Sequence, residues 1–145
     1  MVDASLLVRL ATLRDASAVA LFHPGGGLPE IAARLAHPTD GTVHYLVELA
    51  DEPVAAFSIT ELGRMRPDAA RRLLLHDMRI RPRFRGRSVI QDIFGWLSES
   101  LGAGRDIELI ALTPPEYKPS AMTPFGEEAW HQAFKWAVSS QDARR

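Results

Sequence analysis

The stretch from residue 76 to residue 90 reads HDMRIRPRFRGRSVI, and it decides the fold. It joins a largely apolar segment at 73–80, which predicts a buried strand, to an amphipathic segment at 88–101, which predicts a helix. The connection has an arginine at every second position: Arg79, Arg81, Arg83, Arg85 and Arg87. Because a helix start offers unpaired N–H groups and partial positive charge, a basic turn there predicts an anion site. A phosphorylated cofactor is the expected anion, and a solvated basic loop is the alternative.

The composition limits the class of protein. A chain of 145 residues with 46% hydrophobic and 24% charged residues predicts one globular domain, residues 1–145. The net charge of −1 means that any basic function is local. The absence of cysteine excludes disulfides and thiol chemistry. Because the chain has no apolar run of membrane-spanning length and no signal-peptide pattern at its start, we expect a cytoplasmic protein without a membrane partner.

Hydrophobic periodicity and turn residues predict a mixed α/β (α+β) sheet in the order β-α-α-β-β-β-α-β-α. The strands are expected at 5–12, 43–49, 54–62, 73–80 and 107–113. The helices are expected at 14–22, 28–36, 88–101 and 127–139, with a short helical piece at 69–72 and a proline-rich loop at 114–126. The two strands at 43–62 should form an antiparallel hairpin, and the unit at 73–113 should be a right-handed parallel crossover.

A family resemblance rests on the basic turn. Ile80, Pro82 and Arg85 stand in register with the cofactor motif of the GCN5-related N-acetyltransferase (GNAT) family, and Arg85-Gly86-Arg87 resembles that family's common Arg-Gly-Lys/Arg. The order of elements over residues 5–113 is also similar to that family. The resemblance implies a GNAT-like acyl-CoA N-acyltransferase fold, although the family's C-terminal strands have no counterpart in this sequence.

The resemblance also implies an activity. It points to an acyl-CoA-dependent N-acyltransferase, most simply an N-acetyltransferase that uses acetyl-CoA and a small-molecule or protein amine as acceptor. The pantetheine arm would pair with the backbone of Met78, Arg79 and Ile80. The pyrophosphate would bind the backbone amides of the turn: Arg85, Gly86, Arg87, Ser88, Val89 and Ile90. The side chains of Arg85 and Arg87 would lie near phosphates, and Arg79, Arg81 or Arg83 near the adenosine phosphate or solvent.

Acyl transfer to an amine requires a base for the amine and an acid for the thiolate. His76 and Asp77 occupy the position where the family often has an acidic pair, so either is a candidate base. Period-two alternation predicts His76 and Met78 on one face and Asp77 and Arg79 on the other, so that only one candidate faces the acyl group. A hydrogen-bonded histidine at a strand end is the alternative for His76.

Two further residues are candidates for the proton transfers. Tyr117 is the candidate acid, because it is the only tyrosine after the fifth predicted strand. Glu108, on that strand, is a weaker candidate base.

Departures from the family pattern, at its two defining glycines and at the C-terminus, keep other hypotheses open. Ser88 and Ile90 stand where the family usually has glycines, and the stripe of the predicted helix turns Ile90 toward the core. A degenerate GNAT-fold binding or regulatory module is therefore the second hypothesis. Nucleic-acid binding through the row at 79–87 is the third, opposed by the acidic residues elsewhere and the scarcity of interleaved aromatics.

The remaining features predict little chemistry. The five histidines show no metal-ligand spacing, so we predict no metal site. The three glycines at 25–27 predict a break between helices rather than a phosphate loop. Aromatic residues spread around the last predicted helix, including Trp130, Phe134 and Trp136, favour a subunit contact and hence a homodimer.

Overall fold

A computed structural model describes residues 6–63, 66, 71–84, 89–101 and 107–111. Five strands form one sheet in the order β1-β2-β3-β4-β5. The strands are β1 (Leu6–Leu10), β2 (Thr42–Leu49), β3 (Glu52–Leu62), β4 (Arg71–Ile80) and β5 (Ile107–Ala111). The α-helices are α1 (Ala16–Ala20), α2 (Leu28–Ala36) and α3 (Val89–Leu101), with 3₁₀ turns at Leu13–Asp15 and Pro82–Phe84.

The topology confirms the predicted mixed sheet. Strands β1 to β4 pair antiparallel in chain order, and β4 pairs parallel with β5 across the α3 connection. The hairpin between β2 and β3 turns through Ala50 and Asp51, whose positive φ angles of 50° and 65° suit a two-residue turn. The helical piece predicted at 69–72 is wrong at Arg71 and Arg72, which begin β4 because Arg71 pairs with β5 and Arg72 pairs with both β3 and β5.

The first predicted helix is shorter than expected. It begins as the 3₁₀ turn and ends at Ala20. The proline-rich loop, the last helix and Tyr117 lie outside the described residues, and so do Arg85, Gly86, Arg87 and Ser88.

One face of the sheet is closed by α3 and contains the main core. The largest fully buried side chains on this face include Phe57, Leu75, Met78, Phe94 and Leu97, each 2% exposed or less. Ile90 is partly buried and packs against the same cluster, as the helical stripe predicts. Apolar burial of this extent is the dominant contribution to folding, at about 25 cal/mol per Å².

Within the described part of the chain, the opposite face is covered only in part, by α1 and α2. Its buried apolar cluster is small: Phe22, Leu46 and Ala56. Beside it, Arg9 binds the Asp15 carboxylate through two hydrogen bonds of 2.8 Å and also contacts Glu48 at 2.6 Å. These contacts tie β1, the first 3₁₀ turn and β2 together.

Strand β4 contains a β-bulge at the sequence that decides the fold. Ser58 of β3 pairs with His76 and Ala56 pairs with Arg79, so Phe57 alone stands opposite Asp77 and Met78. Asp77 takes a positive φ of 53° to accommodate the extra residue. The bulge shifts the alternation of buried and exposed residues by one position. Odd-numbered residues such as Leu75 are buried before it, and even-numbered residues such as Met78 are buried after it.

Candidate active site

The uncovered part of the second face is a cavity of about 680 Å³ between the sheet and the segment from α1 to α2. That volume is in the range of small-molecule sites. The apolar wall includes Val19, Phe22, Ile31 and Leu35, and the polar lining includes His23, Arg34, His44, Ser58, His76, Asp77 and Arg79.

The bulge places His76, Asp77 and Arg79 on the same cavity. The prediction that His76 faces one side with Met78, and Asp77 the other, is therefore wrong. Met78 is 1% exposed in the core, whereas both catalytic candidates line the cavity. Strict alternation failed because it assumed a regular strand through residue 77.

A chain of hydrogen bonds crosses three strands and ends at Asp77. The Thr42 and Thr60 hydroxyls are 2.8 Å apart, and Thr60 Oγ1 lies 2.7 Å from His76 Nε2. On the other side of the ring, His76 Nδ1 lies 3.0 Å from Asp77 Oδ2. All four side chains are exposed to some degree, and Asp77 is the most open at 60% of its side chain.

The chemistry of these groups determines which of them donates and which accepts in this chain of hydrogen bonds. An ionised carboxylate only accepts, so His76 Nδ1–H donates to Asp77. In the neutral ring Nε2 then accepts, and the Thr60 hydroxyl is its donor. Both ring nitrogens of His76 are engaged, whereas the Asp77 carboxylate retains free lone pairs toward the cavity. Of the two candidate bases, Asp77 is therefore the one with a carboxylate accessible from the cavity, and His76 contacts that carboxylate through Nδ1.

Two further histidines border the cavity, and sequence analysis did not identify either as a site residue. His44 Nδ1 lies 2.7 Å from the Ser58 hydroxyl. Burial lowers the pKa of His44, and the negative charge of Asp77 opposes this shift. Burial also lowers the pKa of His23, which Asp77 opposes and Arg79 reinforces. Polar residues facing each other at His44, Ser58 and His76 were the available signal, since the strand register pairs them.

The row of arginines does not act as one unit. Arg79 lines the cavity, whereas Arg81 binds Glu52 at 3.0 Å and Arg83 binds the same carboxylate. Arg83 also lies over the Phe84 ring, 4.6 Å from its centroid. Placement of the Arg79, Arg81 or Arg83 side chain near an adenosine phosphate stays a prediction, and for Arg81 and Arg83 it must now compete with Glu52.

The other predicted site residues that the structure describes do not direct their side chains into the cavity. Met78 and Ile80 bury their side chains under α3, so only their backbone is offered to a ligand. The described β4–β5 ladder ends at the pair Leu75 and Ala111, before this segment. Val89 is 4% exposed and packs in the core together with Ile90. Glu108 pairs with Arg72 at 3.6 Å and is not part of the cavity lining.

Within the described ranges, no group of three or more histidine or acidic side chains is arranged to hold a metal ion. None of the described helices has the length and apolarity needed to cross a membrane.

Comparison with known proteins identifies the fold. No protein-family model matches the sequence, and no curated protein matches it. Among solved structures, glucosamine-6-phosphate N-acetyltransferase from Arabidopsis thaliana is similar, with a TM-score of 0.67, 15% identity and coverage of 91% of this chain and 98% of that chain.

Two other solved structures show the same similarity. The aminoglycoside N-acetyltransferase AAC(6')-Iy in complex with CoA has a TM-score of 0.64, 14% identity and coverage of 93% and 95%. A transcriptional regulator from Bacillus halodurans C-125 has a TM-score of 0.64, 18% identity and coverage of 92% and 100%. Together with the mixed sheet, these similarities show that the chain has the GNAT acetyltransferase fold, as the basic turn and element order predict.

Proposed function

We propose that this chain is an acyl-CoA-dependent N-acyltransferase, most simply an N-acetyltransferase, and that its amine acceptor binds in the cavity beside α1 and α2. One observation carries the proposal. The bulge in β4 brings His76, Asp77 and Arg79 to a single cavity, in a fold shared with acetyltransferases. A fold alone does not define an activity, so the proposal depends on these three residues.

The described residues fit an acyl-CoA, which when bound supplies a thioester carbonyl that an amine can attack. The backbone of Met78, Arg79 and Ile80 follows the last described β4–β5 pair and is proposed to bind the pantetheine arm. Val89 and Ile90 turn their side chains into the core, which removes the steric objection to a branched residue at position 90. Arg85 and Arg87, with the turn amides of Gly86 and Ser88, are proposed to bind the phosphates.

The proton transfers are assigned to the chain's own side chains. Asp77 accepts the proton that the amine loses as the new C–N bond forms and the C–S bond breaks. His76 holds the Asp77 carboxylate through Nδ1–H, and Thr60 fixes the ring tautomer through Nε2. Tyr117 is the proposed donor of the proton that the leaving sulfur requires.

Calorimetric titration with acetyl-CoA and with CoA tests the cofactor. We expect micromolar binding that is lost in the variant Arg85→Ala/Arg87→Ala. The matched control is Arg81→Ala/Arg83→Ala, which also removes two positive charges but from side chains bound to Glu52. Equal loss in both variants would show that general charge, rather than the turn, drives binding. Absence of binding at millimolar cofactor would contradict the proposal.

Release of free thiol from acetyl-CoA in the presence of amines tests the activity. Tight CoA binding without thiol release for any amine would support the binding or regulatory module instead. A nucleic-acid affinity that falls steeply with salt would support the third hypothesis. A cytoplasmic location and a homodimer are further proposals, to be tested by cell fractionation and light scattering.

A further inference from the structure

Arg34 of α2 lines the cavity and forms no ion pair with a described residue, although the same helix carries an acidic residue close to it. Arg34 follows Glu30 by four residues on α2, a spacing at which such side chains often pair. No ion pair or hydrogen bond of Arg34 occurs within the described part of the chain. The Glu30 carboxylate instead folds back against Gly27 at the start of α2, where the helix dipole favours negative charge. Among the described residues, Arg34 therefore lines the cavity without an ion-pair partner.

Arg79 provides a second positive charge at the same cavity. The hydrogen bond given by its guanidinium goes to the neighbouring Met78 carbonyl, at 3.2 Å, and no described carboxylate forms an ion pair with it. Most of the other described arginines differ from Arg34 and Arg79 in having a carboxylate partner. Five of the described arginines are bound to carboxylates away from the cavity lining: Arg9, Arg71, Arg72, Arg81 and Arg83.

The rest of the cavity defines the shape of a ligand. Asp77 and His76 form one polar end, and the apolar side chains of Val19, Phe22 and Leu35 form a wall. The Asp77 carboxylate accepts a hydrogen bond from His76 and keeps further lone pairs with which an amine can form a hydrogen bond. An anionic group on the ligand would find the Arg34 guanidinium, whose planar fork binds carboxylate or phosphate through two parallel hydrogen bonds.

We propose that the cavity binds a small amine that also carries a carboxylate or phosphate, with Arg34 holding the anion, Arg79 assisting and Asp77 receiving the amine. As an assignment of the acceptor class, this inference rests on the proposed function. Glu30 also lines the cavity, but its carboxylate lies against Gly27 at the start of α2. An amine with an apolar body therefore fits the wall better than a polycation does, because a second positive charge would meet Arg34.

Matched ligands test the anionic group without requiring turnover. L-Leucine and L-leucinamide share body and amine but differ in the carboxylate, and O-phosphoethanolamine and ethanolamine differ in the phosphate. Binding is followed by NMR through the ring signals of His23 and His44, which border the cavity. We expect one or both anionic amines to bind at least about tenfold more tightly than their neutral partners. The anionic ligand with the larger gain in affinity over its neutral partner shows whether the site prefers a carboxylate or a phosphate.

Three variants locate the effect. Arg34→Gln should weaken the anionic ligand about tenfold and leave the neutral ligand within twofold, and Arg34→Lys should recover part of the loss. Arg14→Gln is the matched control, since Arg14 is an exposed arginine outside the cavity lining. Arg34 is itself exposed, so loss of folding is not expected.

The outcomes separate this inference from the proposed function. Equal binding of anionic and neutral amines, preference for a diamine, or an Arg34→Gln effect matched by Arg14→Gln would overturn the anion site. Equal rates of thiol release with neutral and anionic amines would overturn the anion site but would still support acyl transfer. Selective anionic binding without any thiol release would support the anion site and count against acyl transfer.

Discussion

The two faces of the sheet are built from the same strands but differ in almost every physical respect. The face under α3 is closed and apolar, with Ile93 and Leu97 fully buried. The face under α1 and α2 is only partly covered, and hydroxyls, histidines and an aspartate line its cavity. The difference teaches that the main apolar core and the candidate site lie on opposite sides of the sheet, and that the bulge at Asp77 lets β4 contribute side chains to both.

The sharpest test removes the base from the open face. Asp77→Asn should lower kcat/KM for acyl transfer by about 10²- to 10⁴-fold, the usual contribution of a general base. Asparagine tolerates the positive φ of this position, and the side chain is largely exposed, so the melting temperature should change little. Thiol-release kinetics and thermal unfolding measure the two effects. Full activity in this variant would exclude Asp77 as the base.

Truncation on the closed face should have the reverse effect. Leu97→Ala should lower the free energy of unfolding by about 2–5 kcal/mol, because it leaves a cavity in a dry core. Leu35→Ala, beside the open cavity, should fall at the lower end of that range because water can enter the space. Urea unfolding of both variants measures the difference. Equal losses would show that the two faces contribute alike to stability.

An ion pair at the margin of the open face provides a test of pH dependence. Hydrogen bonds from Arg9 lower the pKa of Asp15 from 3.8 to about 2, against the opposing effect of burial. A carboxyl whose pKa is depressed by folding stabilises the protein above its unfolded pKa, and this stability is lost as pH falls toward 2. Asp15→Asn should therefore cost about 2 kcal/mol at pH 7 and progressively less below pH 4. Acid and urea titrations compare the two proteins.

The hydroxyl behind His76 should have a smaller effect, confined to activity. Thr60→Val removes the donor to His76 Nε2 and should lower kcat severalfold, with a shifted pH profile, while Thr60→Ser restores both. A purely structural role for Thr60 would instead change thermal stability and leave the pH profile in place. Parallel pH–rate and melting measurements distinguish the two roles.

The smallest expected effect concerns His44. Because burial lowers its pKa in the folded protein, the unfolded chain binds the proton more readily. Stability should therefore decrease as pH falls below the ordinary histidine value of about 6.5. His44→Gln should reduce that slope. An NMR titration that places the His44 pKa above 6.5 would contradict the burial argument.

Sequence patterns predicted the closed face well and the open face poorly. The stripe of the helix predicted at 88–101 turned Ile90 toward the core, where it packs in the cluster of Ile93, Phe94 and Leu97, because helical periodicity reports directly which side is buried. Turn residues and β-rich runs likewise located the hairpin. His76 and Asp77 were selected as site residues through a family resemblance, but their orientation was not predicted.

The failures have physical reasons. A bulge has no simple sequence signature, since Asp77 is an ordinary residue in a left-handed conformation set by its neighbours. His23 and His44 reach the site through tertiary packing, which period-two reasoning along one strand does not include. The pairing of Arg81 and Arg83 with Glu52 depends on a residue about 30 positions away in the chain.

The bulge also has an evolutionary consequence. Without Asp77, residues 71–80 would form a regular strand in which Leu73, Leu75, Met78 and Ile80 all remain on the core side. Deleting that one codon should therefore yield a protein that still folds, with an uninterrupted strand and no acidic group beside His76. The proposed base of this chain can thus be gained or lost as a single-residue insertion or deletion, independently of the sequence features that encode its core.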